Sequence, residues 1–162
     1  MSEGARVRAA TMGDLGPLGE MAGALVRFHH AIDDRRFFMA RGVEQGYRRW
    51  FAQELENPDA VLLAGVGEDG AVLGYAYGRL EARDWNQLLG RHAALHDILV
   101  KPEARGSGLG RALLDAFCAA VKARGAPRVV LHTAYTNEAA QSLFKARGFR
   151  PTMIEMTLEL DD

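Results

Sequence analysis

The residues whose types and spacing speak most directly of chemistry are Arg105-Gly106-Ser107-Gly108-Leu109-Gly110-Arg111. Three glycines strip side-chain cover from the backbone where an apolar, strand-like run gives way to a helical pattern. The first turn of a helix has unpaired N–H groups and a partial positive charge, so such a junction suits a phosphate or pyrophosphate. Arg105 and Arg111 would add charged donors. A tight turn that only needs positive φ values calls for the same glycines, and that reading stays open on the loop alone. Two other nucleotide motifs fail on spacing. A Walker loop ends in Lys and Ser or Thr, whereas Gly110 is followed by Arg111 and Ala112. A dinucleotide fingerprint places its third glycine one residue later, in a chain long enough for a second mononucleotide-binding half. A nucleotide-binding oxidoreductase is therefore a distant reading.

A second chemical pair is His96-Asp97. Histidine is suited to general-base work near neutral pH without tuning, although a lone strand histidine is often structural. The two are neighbours in a run that reads as a strand, so alternation puts them on opposite faces. His92 and His132 lack partners at metal-ligand spacing, which argues against a metal site. Cys118, the sole cysteine, lies toward the flank of an apolar stripe; the chain can form no internal disulfide and no CxxC motif.

The elements that must position these groups can be read along the chain. Residues 5–10 alternate as a first strand, and Thr11 with Asp14 resembles a capping box ahead of a helix bearing Leu15, Leu18, Met21, Ala22, Leu25 and Val26. Residues 28–42 lose that period and concentrate aromatic and charged groups. A second helix over about 43–56 carries Tyr47, Trp50, Phe51 and Leu55 on one side. Apolar runs at 60–67 and 71–81 flank Glu68-Asp69-Gly70 and predict an antiparallel hairpin. A strand at 93–100, a helix at about 109–124, a strand at 127–133 and a short helix from Asn137 to Gly148 follow, and the tail 152–160 alternates as a final strand. The order is β-α-α-β-β-β-α-β-α-β: one mixed α/β domain spanning residues 1–162, antiparallel early and with a parallel crossover late.

Composition narrows the class. The chain has 162 residues, 48% of them hydrophobic and 25% charged, as expected of one globular domain. A net charge of −1 argues against nucleic acid as the main partner. The first residues, Met1 to Arg6, open with an acid and contain no apolar segment, and no run approaches the ~20 residues that span a bilayer. A cytoplasmic protein with no membrane partner is expected.

Arg105-Gly106-Ser107-Gly108-Leu109-Gly110 resembles the Q/R-x-x-G-x-G/A acyl-CoA signature of the GNAT superfamily of N-acetyltransferases. Leu95 to Glu103 is similar to that family's fourth strand and following turn, Asn137 to Phe149 to its second CoA-contacting segment, and Arg8 to Asp14 to its first strand and turn. The resemblance implies the GNAT acyl-CoA N-acyltransferase fold, acetyl-CoA as cosubstrate, no metal, and direct transfer to an amine of a small molecule or protein. It implies that amides from Arg105 through Gly106, Ser107, Gly108, Leu109 and Gly110 to Arg111 hold the pyrophosphate. Pantetheine would then pair with Ile98, Leu99 and Val100, with Asn137 and Phe144 beside the arm. His96 and Asp97 become the catalytic pair. The family commonly has Tyr where this chain has Phe144, and its hydroxyl protonates the leaving thiolate; Phe144 cannot, so Tyr135 or water is the substitute acid. That departure keeps a noncatalytic acyl-CoA-binding sensor as the alternative. The resemblance also places acceptor specificity in the segment after the first helix and in the loop after the third strand. Here these hold His29, His30, Asp33, Phe37 and Trp85, whose acids and aromatics suit a cationic amine, while Arg35 and Arg36 would suit a carboxylate. A loop that merely caps the core is the plainer alternative. Homodimers occur among such proteins, and the alternating tail could supply a strand to a second copy.

Overall fold

The apolar and alternating runs become the strands of a single sheet in a computed structural model, which describes residues 5–160. Met1 to Gly4, examined above for a leader, and the last two residues lie outside that range. The strands are β1 (Arg6–Ala9), β2 (Ala60–Val66), β3 (Val72–Glu81), β4 (His92–Val100) and β5 (Val129–Leu131). They lie side by side in chain order, antiparallel from β1 to β4 and parallel between β4 and β5. The helices are α1 (Leu15–Ile32), α2 (Val43–Glu54), α3 (Leu109–Ala123) and α4 (Glu138–Arg147). The α3 crossover between β4 and β5 is what makes their parallel pairing possible.

Apolar periodicity assigns the layers. Leu18 and Met21 of α1 and Phe51 of α2 pack on Leu62, Tyr75 and Tyr77 on one face of the sheet. On the other face Leu113 and Phe117 of α3 pack on Val61, Ala76, Ala93 and Leu95, with Phe144 of α4 joining them. The turn into α1 is held by Asp14, which accepts two hydrogen bonds from Arg8 (2.7 and 2.9 Å) and one from the Thr11 amide (2.8 Å). These donors hold the carboxyl down at about 2, the Arg8 guanidinium contributing most.

Three expectations change. The first helix does not stop near Val26 but runs to Ile32, so His29 and His30 occupy its last turn, where a cationic ring would meet the negative helix end. Residues 127–133 pair only over Val129–Leu131. The expected strand at 152–160 does not form: residues 151–160 have no regular structure, and Met153, Ile154, Met156, Leu158 and Leu160 are 76–90% exposed. Alternation supplies an apolar face but no hydrogen-bonding partner, and this tail is tied by side chains instead. Glu155 pairs with Arg36, and Glu159 lies 4.0 Å from Arg35.

One irregularity sets up the site. Tyr77 lies opposite Asp97 while Gly78 lies opposite Leu95, so His96 is an extra residue in β4, a β-bulge. A Cβ at Gly78 would fall 2.2 Å from the Ala94 carbonyl oxygen and 2.5 Å from Phe117 Cζ, so only glycine lets β4 and α3 approach there. Gly78→Ala should lower unfolding stability by about 1–3 kcal/mol or more, read from urea midpoints; a loss below about 0.5 kcal/mol, within ordinary surface-substitution scatter, would show that the bulge yields easily.

Candidate active site

The glycine loop follows a 3₁₀ turn at Pro102–Ala104 and ends where α3 begins. Gly106 and Gly108 have φ of 75° and 84°, which a residue with a Cβ rarely adopts, so the turn reading of these glycines is correct as far as it goes. It does not exhaust the loop. Gly108 is the N-cap of α3 and offers no side chain to its amides. The first helical bond runs from the Ala112 amide to the Gly108 oxygen (3.0 Å). Among the described residues the Gly110 and Arg111 amides have no acceptor, and Leu109 has only a long 3.4 Å contact with Ser107 Oγ. The anion cradle is thus built from backbone. The arginine side chains point elsewhere: Arg111 Nε donates to Asp115 (3.0 Å), one turn on, and Arg105 Nε to the Val100 oxygen (3.3 Å). The expectation that both guanidiniums add to the anion site is corrected for this arrangement.

The cradle opens onto a splay. Strand β5 accompanies β4 only over Ala93, Ala94 and Leu95. Beyond Leu95, Ile98, Leu99 and Val100 are paired with β3 alone, leaving the other edge of β4 open to an extended ligand. Asn137 caps α4, its Oδ1 accepting from the Ala140 amide (3.2 Å), so its plain capping role is realised. Phe144 is only 6% exposed and packs against Phe149, on the same face of the sheet as α3. Tyr135, on the loop between β5 and α4, is 89% exposed.

The bulge overturns the expectation that His96 and Asp97 face opposite sides. The His96 ring lies 5.6 Å from the Tyr77 ring, and Asp97 accepts a hydrogen bond from the Tyr75 hydroxyl (3.1 Å). Tyr75 and Tyr77 are on one face of β3, so both members of the pair lie on the α1/α2 side. Burial moves their titrations in opposite directions. Burial pushes the Asp97 carboxyl up to about 6, while the Tyr75 donor pulls the other way. Burial lowers His96 below its ordinary 6.5 despite Glu81, whose carboxylate stands 3.7 Å from Nε2. At pH 7 His96 is neutral and Asp97 ionised.

Sequence reading missed a buried network beneath this pair. Tyr77 donates to Glu54 Oε2 (2.6 Å) and receives a bond from Trp50 Nε1 (3.2 Å), while Arg79 lies 3.2 Å from Glu54. The available signal was a carboxylate on the apolar stripe of α2, three residues past Phe51. Glu81 was also missed; it shares a strand face with Tyr77 and Arg79 by simple alternation.

The expected acceptor residues separate into two groups. His29 and Phe37 are in ring contact (5.0 Å), and His30 Nδ1 donates to the Phe37 oxygen (2.7 Å). Asp33 caps its own loop by accepting from the Arg35 and Arg36 amides. Trp85 belongs instead to the β3–β4 loop. There it lines a cavity of about 670 Å³ that also includes Glu81, Asp84, His92, His96 and His132. His96 therefore joins the bulge to a cavity large enough for a small molecule.

The raised Asp97 carboxyl has a stability consequence. Below pH 3.8 it is protonated in folded and unfolded chains alike, with no penalty. Between 3.8 and about 6 the unfolded chain ionises first, so folding weakens as pH rises, and above 6 the penalty is constant. Asp97→Asn keeps an acceptor for Tyr75 and should stabilise the fold at pH 8 by on the order of 2 kcal/mol, with the gain vanishing below pH 4 in thermal melts. A gain that persists at low pH would contradict the burial argument.

Comparisons with known proteins bear on the fold and the family. The sequence profile of the Acetyltransferase (GNAT) family matches residues 27–149. A mycothiol acetyltransferase of Paenarthrobacter aurescens strain TC1 is 34% identical over 101 residues, 60% of this chain but only 29% of that protein; the match thus spans less than a third of that relative. A tetramutant of the BH1408 protein from Bacillus halodurans superposes with a TM-score of 0.83 at 20% identity, covering 96% of this chain and 99% of that one. A Clostridium acetobutylicum predicted acetyltransferase solved with acetyl-CoA gives 0.70 at 20% identity, covering 96% of each chain. At such identities these structures share the fold. With the glycine cradle, the splayed strands and a family match over most of its length, the chain belongs to the GNAT acetyltransferase family.

Proposed function

We propose that the protein transfers an acetyl group from acetyl-CoA to a primary amine by direct attack. The observation that carries this reading is the pair of amides at Gly110 and Arg111 that find no acceptor among the described residues, set beside the open edge of β4. The cradle fits a pyrophosphate because its donors are backbone and its glycines leave room; the open edge fits an extended arm. Residues Arg105 to Arg111 would hold the diphosphate, Ile98, Leu99 and Val100 the arm, and Asn137 and Phe144 would flank it. Acetyl-CoA supplies the acyl group as a thioester: the C–S bond breaks, the new C–N bond forms, and the thiol is released.

The chain's own residues handle protons and charge. An ammonium entering the cavity gives one proton to neutral His96, which passes it to solvent, and the free amine becomes nucleophilic. The Glu81 carboxylate, 3.7 Å from His96 Nε2, favours the imidazolium that forms, and Asp97 is the second member of the proposed pair. A main-chain amide near Leu99 polarises the thioester carbonyl. The amine's second proton leaves as the amide forms and balances the departing thiolate, delivered by Tyr135 or water. His29, His30, Asp33 and Phe37 would form the outer wall of the acceptor approach.

The second reading, an acyl-CoA-binding domain without efficient turnover, is favoured by one observation: the apolar, buried Phe144 provides no acid. Release of free thiol across a panel of amines separates the two. Calorimetry should show acetyl-CoA binding, weakened at least tenfold by Gly108→Ala, which strains a φ of 84° and covers the cradle; no heat from the parent chain would defeat both readings. His96→Gln should lower kcat/KM roughly 100-fold. Because burial lowers His96 below its ordinary value, the parent enzyme should keep its rate through neutral pH and lose it only on the acid side of the ordinary imidazole range. That acid limb should be absent in the variant. A limb that survives near pH 6 would make Asp97 the base instead.

A further inference from the structure

The cavity beside His96 shows a consistent chemistry on its walls. Asp84 accepts from the Asn86 and Gln87 amides with Oδ1 alone (2.8 and 3.2 Å); Oδ2 has no partner among the described residues. His92 is only 7% exposed yet lines the cavity. Its Nδ1 faces the Gly90 carbonyl oxygen at 2.9 Å, so Nδ1 must be the donor. In the neutral ring Nε2 is then an acceptor with no partner among the described residues. Glu81 adds a second carboxylate at the His96 end. Asp84 Oδ2 and His92 Nε2 are thus acceptors without a partner among the described residues, while Glu81 is shared with His96. The cationic lining residue, Arg83, lies over the Trp85 ring at 5.3 Å and forms no ion pair with either carboxylate among the described residues. Trp85 itself is 73% exposed, an aromatic face of the kind that holds cations.

The carboxylates mark two points. Glu81 stands at the end of β3 beside His96, and Asp84 lies three residues farther along, bridged to Leu89 in the loop that curls over the cavity. Three residues of extended chain span at most roughly 10 Å. A ligand with one positive centre would satisfy only one of them; a short alkyl chain with a cation at each end would satisfy both and lay its methylenes on Leu89 and Val130.

We propose that this cavity binds an amine bearing a second cationic centre, a short aliphatic diamine in class, with Asp84 and Trp85 holding the distal cation while Glu81 steers the reacting one to His96. The assignment rests on the acetyl-transfer reading for its catalytic end, but the binding site stands on the cavity itself. Asp84 and Glu81 are specificity determinants in this assignment.

The test uses 1,5-diaminopentane against pentylamine, which differ by the distal ammonium alone. Calorimetric titration of the full chain at low salt should show the diamine binding at least tenfold tighter, with the advantage shrinking as salt rises. Thiol release with acetyl-CoA should show the same preference in kcat/KM. Asp84→Asn keeps the Oδ1 acceptor for the loop amides, so the fold has no reason to fail, and the preference ratio should fall at least tenfold; Trp85→Leu should lower it several-fold. Equal affinity for the two amines, or an unchanged ratio in Asp84→Asn, would overturn the proposal while leaving acetyl transfer intact. Tight diamine binding without thiol release from any amine would instead overturn the transfer reading and leave the dication site standing.

Discussion

Strand β4 is paired on both edges as far as Leu95 and on one edge beyond it, and the rest of the site follows from that change. A hydrogen-bonding strand edge inside a covered sheet is costly to leave open. Here the same edge lies beside the amide cradle at the start of α3, so an extended molecule with an anionic end would satisfy both sets of donors together. The bulge at His96 stands at the point where the pairing ends. An extra residue on one strand increases local twist and bends it, a physical means of parting β4 from β5 at that level.

The bulge also decides the electrostatics. Inserting His96 brings two consecutive polar side chains to one face of the sheet, Asp97 against Tyr75 under the helices and His96 half-exposed beside Tyr77 at the cavity. Loss of water there acts oppositely on an acid and a base, lifting Asp97 and lowering His96. A neutral imidazole beside a carboxylate at pH 7 is the outcome, reached through burial rather than through a strong ion pair. Beneath it, Glu54 is anchored by Tyr77, Arg79 and Asn57, so the tyrosine ring that supports His96 is itself fixed.

In the proposed reading, acceptor recognition and acyl-donor binding use different parts of the fold. The donor side is largely backbone: amides at a helix start and an open strand edge, which depend little on side-chain identity. The acceptor side would be side chains lining the cavity at the β3–β4 loop, where Glu81, Asp84, Trp85 and His92 differ chemically from anything the cradle needs. Asp33 is committed to its own loop, and Arg36 is drawn to Glu155 of the tail.

Local chemistry was readable from the residues alone. Gly106 and Gly108 demanded a left-handed turn before a helix, Asn137 and Gly148 bracketed α4, and apolar spacing located the hairpin and the faces of α2 and α3, because backbone sterics and periodicity are properties of short segments. Only the tertiary structure decided the facing of His96 and Asp97, since a one-residue bulge is set by register against β3 and reverses every alternation argument beyond it. Long-range pairing also decided the fate of the tail, whose alternation is that of a strand but which finds no strand edge among the described residues. Periodicity states which side of an element is apolar; what lies against that side depends on contacts between residues far apart in the chain.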